Sequence, residues 1–220
     1  MKSLIIAPHP DDEVLGVGGT ILRKINEGYK VALLIATSAS NLLNWSDSQI
    51  EARRLEIIKI KNFFSFYEVY ELNLPAACLD KIGEANIVQK ISEVFKVFEP
   101  NEIFLPHPLD VHGDHKIVAN SSISASKWFR HEYIKKIYAY ETLSETEFNL
   151  SGFNSFHPNF FVNIEGYLEN KINAMKIYDT EISKFPFPRS EIAIRSLAQY
   201  RGSMSGFIAA EAFQLLKERV

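Results

Sequence analysis

The sequence predicts an α/β fold with a mainly parallel sheet and helices on both of its faces. Three observations carry this expectation. Short, almost unbroken apolar runs at 4–7, 29–36 and 103–105 suit strands buried on both sides. Segments with apolar residues at helical spacing lie between them. Strand and helix therefore alternate along the first 140 residues, which is the pattern of successive βαβ units. A length of 220 residues with 46% hydrophobic and 23% charged residues supports one packed core, read as a single domain over 1–220.

The elements follow in order. Residues 4–7 form a short strand that stops at Pro8 and Pro10. A helix over 14–26 carries Leu15, Ile21, Leu22 and Ile25 at helical spacing, with Gly28 just past its end. The run 29–36 is the second strand. Asp47 or Ser48 caps a long helix to about residue 64. A strand over 67–72 and a striped helix over 84–98 come next, the latter stopped by Pro100. The strand 103–105, a helix over 114–130 and a strand over 137–140 complete the alternating part. Beyond it the pattern loosens: 148–158 is a loop, 160–163 a strand, and 164–178 and 191–200 are helices. The architecture is Rossmann-like, with ligands expected at the C-terminal edge of the strands.

Composition excludes several function classes. A net charge of −3 gives no basic field for nucleic acid or an anionic membrane. The one cysteine, Cys78, rules out an internal disulfide, a Cys-rich zinc site and a CxxC redox pair, and no base accompanies it. The first apolar stretch is too short for a signal peptide or membrane span, so a soluble cytoplasmic protein is expected.

Chemistry is concentrated in two windows. Of the thirteen histidines and aspartates, eight fall in them: His9, Asp11 and Asp12, then His107, Asp110, His112, Asp114 and His115. Each window directly follows a predicted strand, so the two converge at one sheet edge. Nitrogen and oxygen donors without thiolates make a divalent metal site, best suited to zinc with an open position, and ferrous iron fits the same set. His9 with Asp12, and His112 with His115, are each three residues apart, close enough to grip one ion. Asp11 lies between the first pair, placed to take a proton from a metal-activated water. The other histidine of the second window can stabilise an oxyanion, with Asp114 fixing its orientation. Spacing leaves open which of His112 and His115 is the ligand. The inventory suits hydrolysis of an amide or ester.

Residues 7–13, Ala-Pro-His-Pro-Asp-Asp-Glu, with Gly16 and Gly18-Gly19-Thr20 behind them, resemble the signature of the PIG-L/LmbE-like deacetylases. His112-Gly113-Asp114-His115, preceded by Pro106 and Asp110, looks like that family's second signature. Arg53-Arg54-Leu55-Glu56 is similar to its Arg-x-x-Glu helix, and Arg201-Gly202 with Glu211-Ala212-Phe213 to its closing segment. The resemblance implies zinc on His9, Asp12 and His115, with Asp11 as general base. It implies His112 as the protonated, oxyanion-stabilising histidine and Asp114 as its partner. Family members remove an N-acetyl group, usually from a glucosamine unit in a larger conjugate, and many form oligomers. Two departures stand out: Thr37 to Asn41 lacks the family's Thr-x-Gly-Glu turn, and Ser65 replaces a usual glycine.

Other readings stay beside this one. The same site serves an amide or ester hydrolase with a non-sugar substrate, or a metal-dependent sugar-binding protein without turnover. Arg53, Asp110 and His107 are candidate substrate contacts; Arg53 has a structural alternative, Asp110 one as an orienter, His107 one as a satisfied loop residue. His131 and His157 read as packing or surface residues, and Arg195 and Arg201 as solvated. Gly16, Gly18 and Gly19 sit too far into the helix for a dinucleotide fingerprint and read as packing glycines. The segment 41–48 with Trp45 shapes the pocket, and aromatic residues in 148–161 stack on sugar or form an oligomer contact.

Overall fold

A computed structural model of the chain describes residues 1–39, 45–150 and 156–220. The strands are β1 (Lys2–Ala7), β2 (Lys30–Ser38), β3 (Glu68–Pro75), β4 (Glu102–Pro106), β5 (Lys136–Tyr140), β6 (Phe160–Asn163) and β7 (Ala210–Glu218). They form one sheet in the order β3-β2-β1-β4-β5-β7-β6. The first five run parallel, while β7 pairs antiparallel with both β5 and β6. The helices are α1 (Asp12–Asn26), α2 (Asp47–Phe64), α3 (Leu79–Ile82), α4 (Glu84–Phe98), α5 (Gly113–Ala125), α6 (Leu168–Met175) and α7 (Glu191–Ser205).

Alternation along the strands builds two cores. Ile5, Ala7, Leu33, Ile35 and Phe104 point to one face and pack with α1, α2, α6 and α7. Leu4, Ile6, Leu34, Ile103 and Leu105 point to the other and pack with α3, α4 and α5. A strand buried on both faces needs consecutive apolar residues, which is why β1 and β2 read so plainly.

The packing glycines act as expected. A Cβ on Gly16 would lie 2.2 Å from Tyr140 Cδ2, and one on Gly19 2.7 Å from Ile164 Cγ2. These contacts bring α1 down onto the sheet. Its depth is held by a buried ion pair: Lys171 Nζ donates to Glu211 Oε1 at 2.6 Å and to the Leu15 carbonyl at 2.8 Å. The Glu211 carboxylate also accepts the Gly19 and Thr20 amides at 2.8 and 2.7 Å. Thus β7 and α6 clamp the helix whose first turn carries the first histidine–aspartate window.

Several boundaries differ from expectation. The cap of α2 is Ser46, in a reciprocal capping box with Gln49, rather than Asp47 or Ser48. Ser65 ends that helix with φ 56°, the left-handed conformation for which glycine is the usual choice. Helix α5 stops at Ala125, five residues early, leaving Trp128 and Phe129 on an exposed turn. The expected helix 164–178 divides into a 3-10 turn, Glu165–Tyr167, and the shorter α6. Strand β7 and the single-turn α3 were not foreseen at all.

Candidate active site

Strands β1 and β4 are parallel neighbours, with Ser3 opposite Glu102 and Ile5 opposite Phe104. From β1 the chain turns back towards β2, and from β4 towards β5, so the sheet has its topological switch point between them. The two windows therefore meet there. Ring centroids of His9 and His112 are 4.6 Å apart, and His115 lies 5.3 Å from each.

The first window is a tight turn. His9 N donates to Asp12 Oδ2 at 2.8 Å, and the Asp11 carbonyl accepts the Val14 and Leu15 amides at 3.0 Å. Asp11 takes φ 132° and ψ −29°, which an L-residue adopts only under constraint, at about 1–3 kcal/mol. Glu13 steadies the turn by accepting the Asp11 amide (3.1 Å) and the Tyr178 hydroxyl (2.7 Å). Burial pushes the Glu13 carboxyl up to about 7.

The donor atoms lie close enough together that they could hold a metal ion. His9 Nδ1 lies 3.5 Å and His115 Nε2 3.3 Å from Asp12 Oδ2. The opposite nitrogens are fixed: His9 Nε2 donates to Asp114 Oδ2 at 3.0 Å, and His115 Nδ1 to Asp110 Oδ2 at 2.9 Å. A carboxylate behind each imidazole is the usual support of a metal-ligating histidine. Ligand atoms of His9, Asp12 and His115 all lie within 4.8 Å of one another. His9, His112 and Asp114 meet the same criterion. There, however, Asp114 Oδ2 already accepts His9 and the Ala77 amide (2.6 Å), and His112 Nδ1 accepts the Asp114 amide (3.1 Å). The first set is the better fit.

The electrostatics favour a cation at this point. Burial lowers the His9 imidazole, but hydrogen bonds to Asp114 and Asp12 outweigh it and raise its pKa to about 9. His115 likewise stands well above its ordinary value, because Asp12 and Asp110 overcome its burial. The same two histidines hold Asp12 far below the usual carboxylate range despite its burial. Asp11 moves the opposite way: burial first, then Asp12 and Glu181, push it well up, against Arg189 and His9.

In the fold the Asp114 carboxylate bonds to His9, and its amide meets the His112 ring. His112 Nδ1 accepts a backbone N–H as the N-cap of α5, so the proton of the neutral ring sits on Nε2; burial, with His9 and His115, pushes its pKa down, against Asp114, which raises it.

His9, Asp11, Asp12, His112 and His115 line one cleft of about 250 Å³. Asp110 does not; it is fully buried behind His115. His107 is buried against Phe156 and also lies outside the lining. Arg53 lines the cleft, yet it donates to the Pro10 carbonyl, Thr180 and Glu181, with Glu56 at 3.4 Å. Trp45 lines the cleft; 41–44 and 151–155, parts of the two loops singled out, lie outside the described residues. Sequence reading missed Glu145, Glu181 and Arg189, which reach the cleft from irregular segments without any motif. Arg201 is bound to Glu141, and His131 is buried between Ser92 and Tyr133.

Comparison with known proteins agrees with this fold. The curated diacetylchitobiose deacetylase of Thermococcus kodakarensis is 24% identical, over 98% of this chain and 83% of that protein. The N,N'-diacetylchitobiose deacetylase of Pyrococcus horikoshii superposes with a TM-score of 0.78 at 21% identity, covering 98% of this chain and 84% of that one. GalB, a 4-carboxy-2-hydroxymuconate hydratase of Pseudomonas putida KT2440, superposes with a TM-score of 0.76 at 17% identity, over 100% and 98%. The PIG-L profile, described as GlcNAc-PI de-N-acetylase, matches residues 4–126, more than half of the sequence and both histidine–aspartate windows. The chain belongs to the PIG-L family.

Proposed function

We propose that the chain is a metal-dependent N-deacetylase that removes the acetyl group from an N-acetylglucosamine-type sugar conjugate. His9, Asp12 and His115 hold zinc, and ferrous iron fits the same donors. The observation that carries this reading is the pair of imidazoles, each fixed at one nitrogen by a carboxylate and turned by the other onto Asp12. The similarity to a curated diacetylchitobiose deacetylase supports the acetylated sugar as substrate class. One structural neighbour is a hydratase, so the fold alone does not select deacetylation.

A bound divalent ion supplies a water of lowered pKa and polarisation of the acyl carbonyl. Asp11, buried and facing the cleft, accepts the proton of the attacking water and returns it to the departing amine. The Nε2–H of His112 donates to the carbonyl oxygen as negative charge develops there. Asp114 and Asp110 keep His9 and His115 in the tautomers that leave one nitrogen free. Trp45 presents a flat apolar face to a sugar ring. We assign the activity to one domain over 1–220, in the cytoplasm. No helix among the described residues is long and apolar enough to cross a membrane.

The test is acetate release by zinc-loaded protein from N-acetylglucosamine and N,N'-diacetylchitobiose, beside N-acetyl amino-acid amides. Release from the sugars alone, abolished by chelation and restored by zinc, is expected. Equal release from the amides would favour a general amide hydrolase. None from any substrate with metal bound would leave a binding protein.

A further inference from the structure

Arg189 lies in the segment between α6 and α7, at the wall of the cleft. Neither the sequence motifs nor the mechanism above uses it. We propose that Arg189 is the positioning residue of the Asp11 carboxylate, an inference that rests on the reading of Asp11 as the base.

Three observations support it. First, Asp11 is in a constrained backbone conformation and its side chain makes no helix-capping hydrogen bond. Among the described residues its carboxylate has one ion-pair partner, Arg189 Nη1, at 3.6 Å. Second, Arg189 is itself held. Its Nη2 lies 3.1 Å from Glu181 Oε2, and its guanidinium sits 5.4 Å from the centre of the Phe187 ring. Third, the chain of contacts closes on the same turn. The other Glu181 oxygen accepts Arg53, and Arg53 Nη1 donates to the carbonyl of Pro10, the residue before Asp11, at 3.2 Å. Arg189 therefore holds the carboxylate and Arg53 the backbone of one strained turn, with Glu181 joining them. Among the described residues the buried Arg189 Nε–H has no hydrogen-bond partner. Leaving such a donor unmet costs about 1–3 kcal/mol, so general stability does not explain this placement.

Arg189→Ala, Arg189→Lys and Glu181→Gln are to be assayed as zinc-loaded full chains on the acetylated sugar, with metal content measured for each. A displaced base loses rate rather than affinity. Arg189→Ala should lower kcat about 10²-fold, with KM within about threefold of wild type and unchanged metal content. Arg189→Lys, which keeps a charge within reach of Asp11, should recover part of the loss, and Glu181→Gln should show a smaller loss of the same kind. A KM raised about tenfold at unchanged kcat would overturn the proposal in favour of substrate contact. Wild-type kinetics in Arg189→Ala would overturn it outright. A second readout needs no turnover: the Tm loss caused by Arg189→Ala, measured on the chain as purified, should fall by about half or more in an Asp11→Asn background. Equal losses in both backgrounds would refute the pairing. If wild type proves inactive, the deacetylase reading fails while this cycle still decides whether Arg189 holds Asp11.

Discussion

Replacing Asp110 tests the metal centre without touching a ligand. The side chain is fully buried, and its Oδ2 accepts His115 Nδ1 at 2.9 Å. Its Oδ1 has no hydrogen-bond partner among the described residues, so the His115 bond is the polar contact that matters. Asp110→Asn keeps volume and an acceptor oxygen, preserving the tautomer that leaves His115 Nε2 free, and removes only the charge that makes the imidazole a stronger donor. Asp110→Ala removes both. Outer carboxylates of this kind are worth 10–100-fold in metal affinity. The Asn variant should fall near the lower end, about 1.4 kcal/mol, and the Ala variant near the upper, about 2.7 kcal/mol. Competition with a chromophoric zinc chelator at fixed pH measures the affinities, with far-UV circular dichroism to establish folding. If both variants bind zinc within about twofold of wild type, the role given to His115 is wrong.

Four further outcomes follow from packing and charge. Gly16→Ala drives a methyl into the Tyr140 ring, which is buried and tethered through its hydroxyl to the Ile6 carbonyl at 2.9 Å. The cost is ~3 kcal/mol or more, seen as a Tm lower by roughly 6–12 °C; an unchanged Tm would refute the close approach of α1 to the sheet. Lys171→Met leaves Glu211 buried without its cation and should cost about 3–5 kcal/mol. Arg195→Ala, which breaks the exposed pairing with Glu169, should cost under about 1 kcal/mol, and a denaturant titration of both variants measures the two costs. The pH dependence runs in a defined direction. His9 in the metal-free chain has a pKa near 9 against an ordinary 6.5, so its pairing contributes fully below 6.5 and is lost as pH rises through 9. Zinc affinity rises over the same range as the ligands shed protons. The Tm difference between loaded and metal-free protein should therefore widen between these values, and parallel melting profiles would contradict the assignment.

The parts legible in the sequence are those fixed by local pattern. β1, β2 and β4 are buried on both faces and so appear as unbroken apolar runs, and α4 shows its stripe and its Pro100 stop. Strand β7 carries the charged Glu211, Lys217 and Glu218 and becomes a strand by pairing with β5 and β6, a tertiary effect with no local signature. The end of α5 misled because Trp128 and Phe129 continue its apolar spacing, although both are more than half exposed. At the site, the residue types and the two windows were readable from spacing. The direction of each carboxylate was not: Asp114 follows His112 by two residues yet bonds to His9, 105 positions away. Glu181 and Arg189 belong to an irregular segment after α6, so only the folded chain brings them to Asp11.

Asp11→Asn, assayed for zinc content and acetate release together, tests the central claim most directly. The account predicts wild-type zinc content, because Asp11 is not a ligand, and release of acetate lowered by roughly 10²–10⁴-fold, the range for loss of a general base. Near-wild-type release from the zinc-loaded variant would contradict the base assignment, and loss of the zinc would move Asp11 into the metal site.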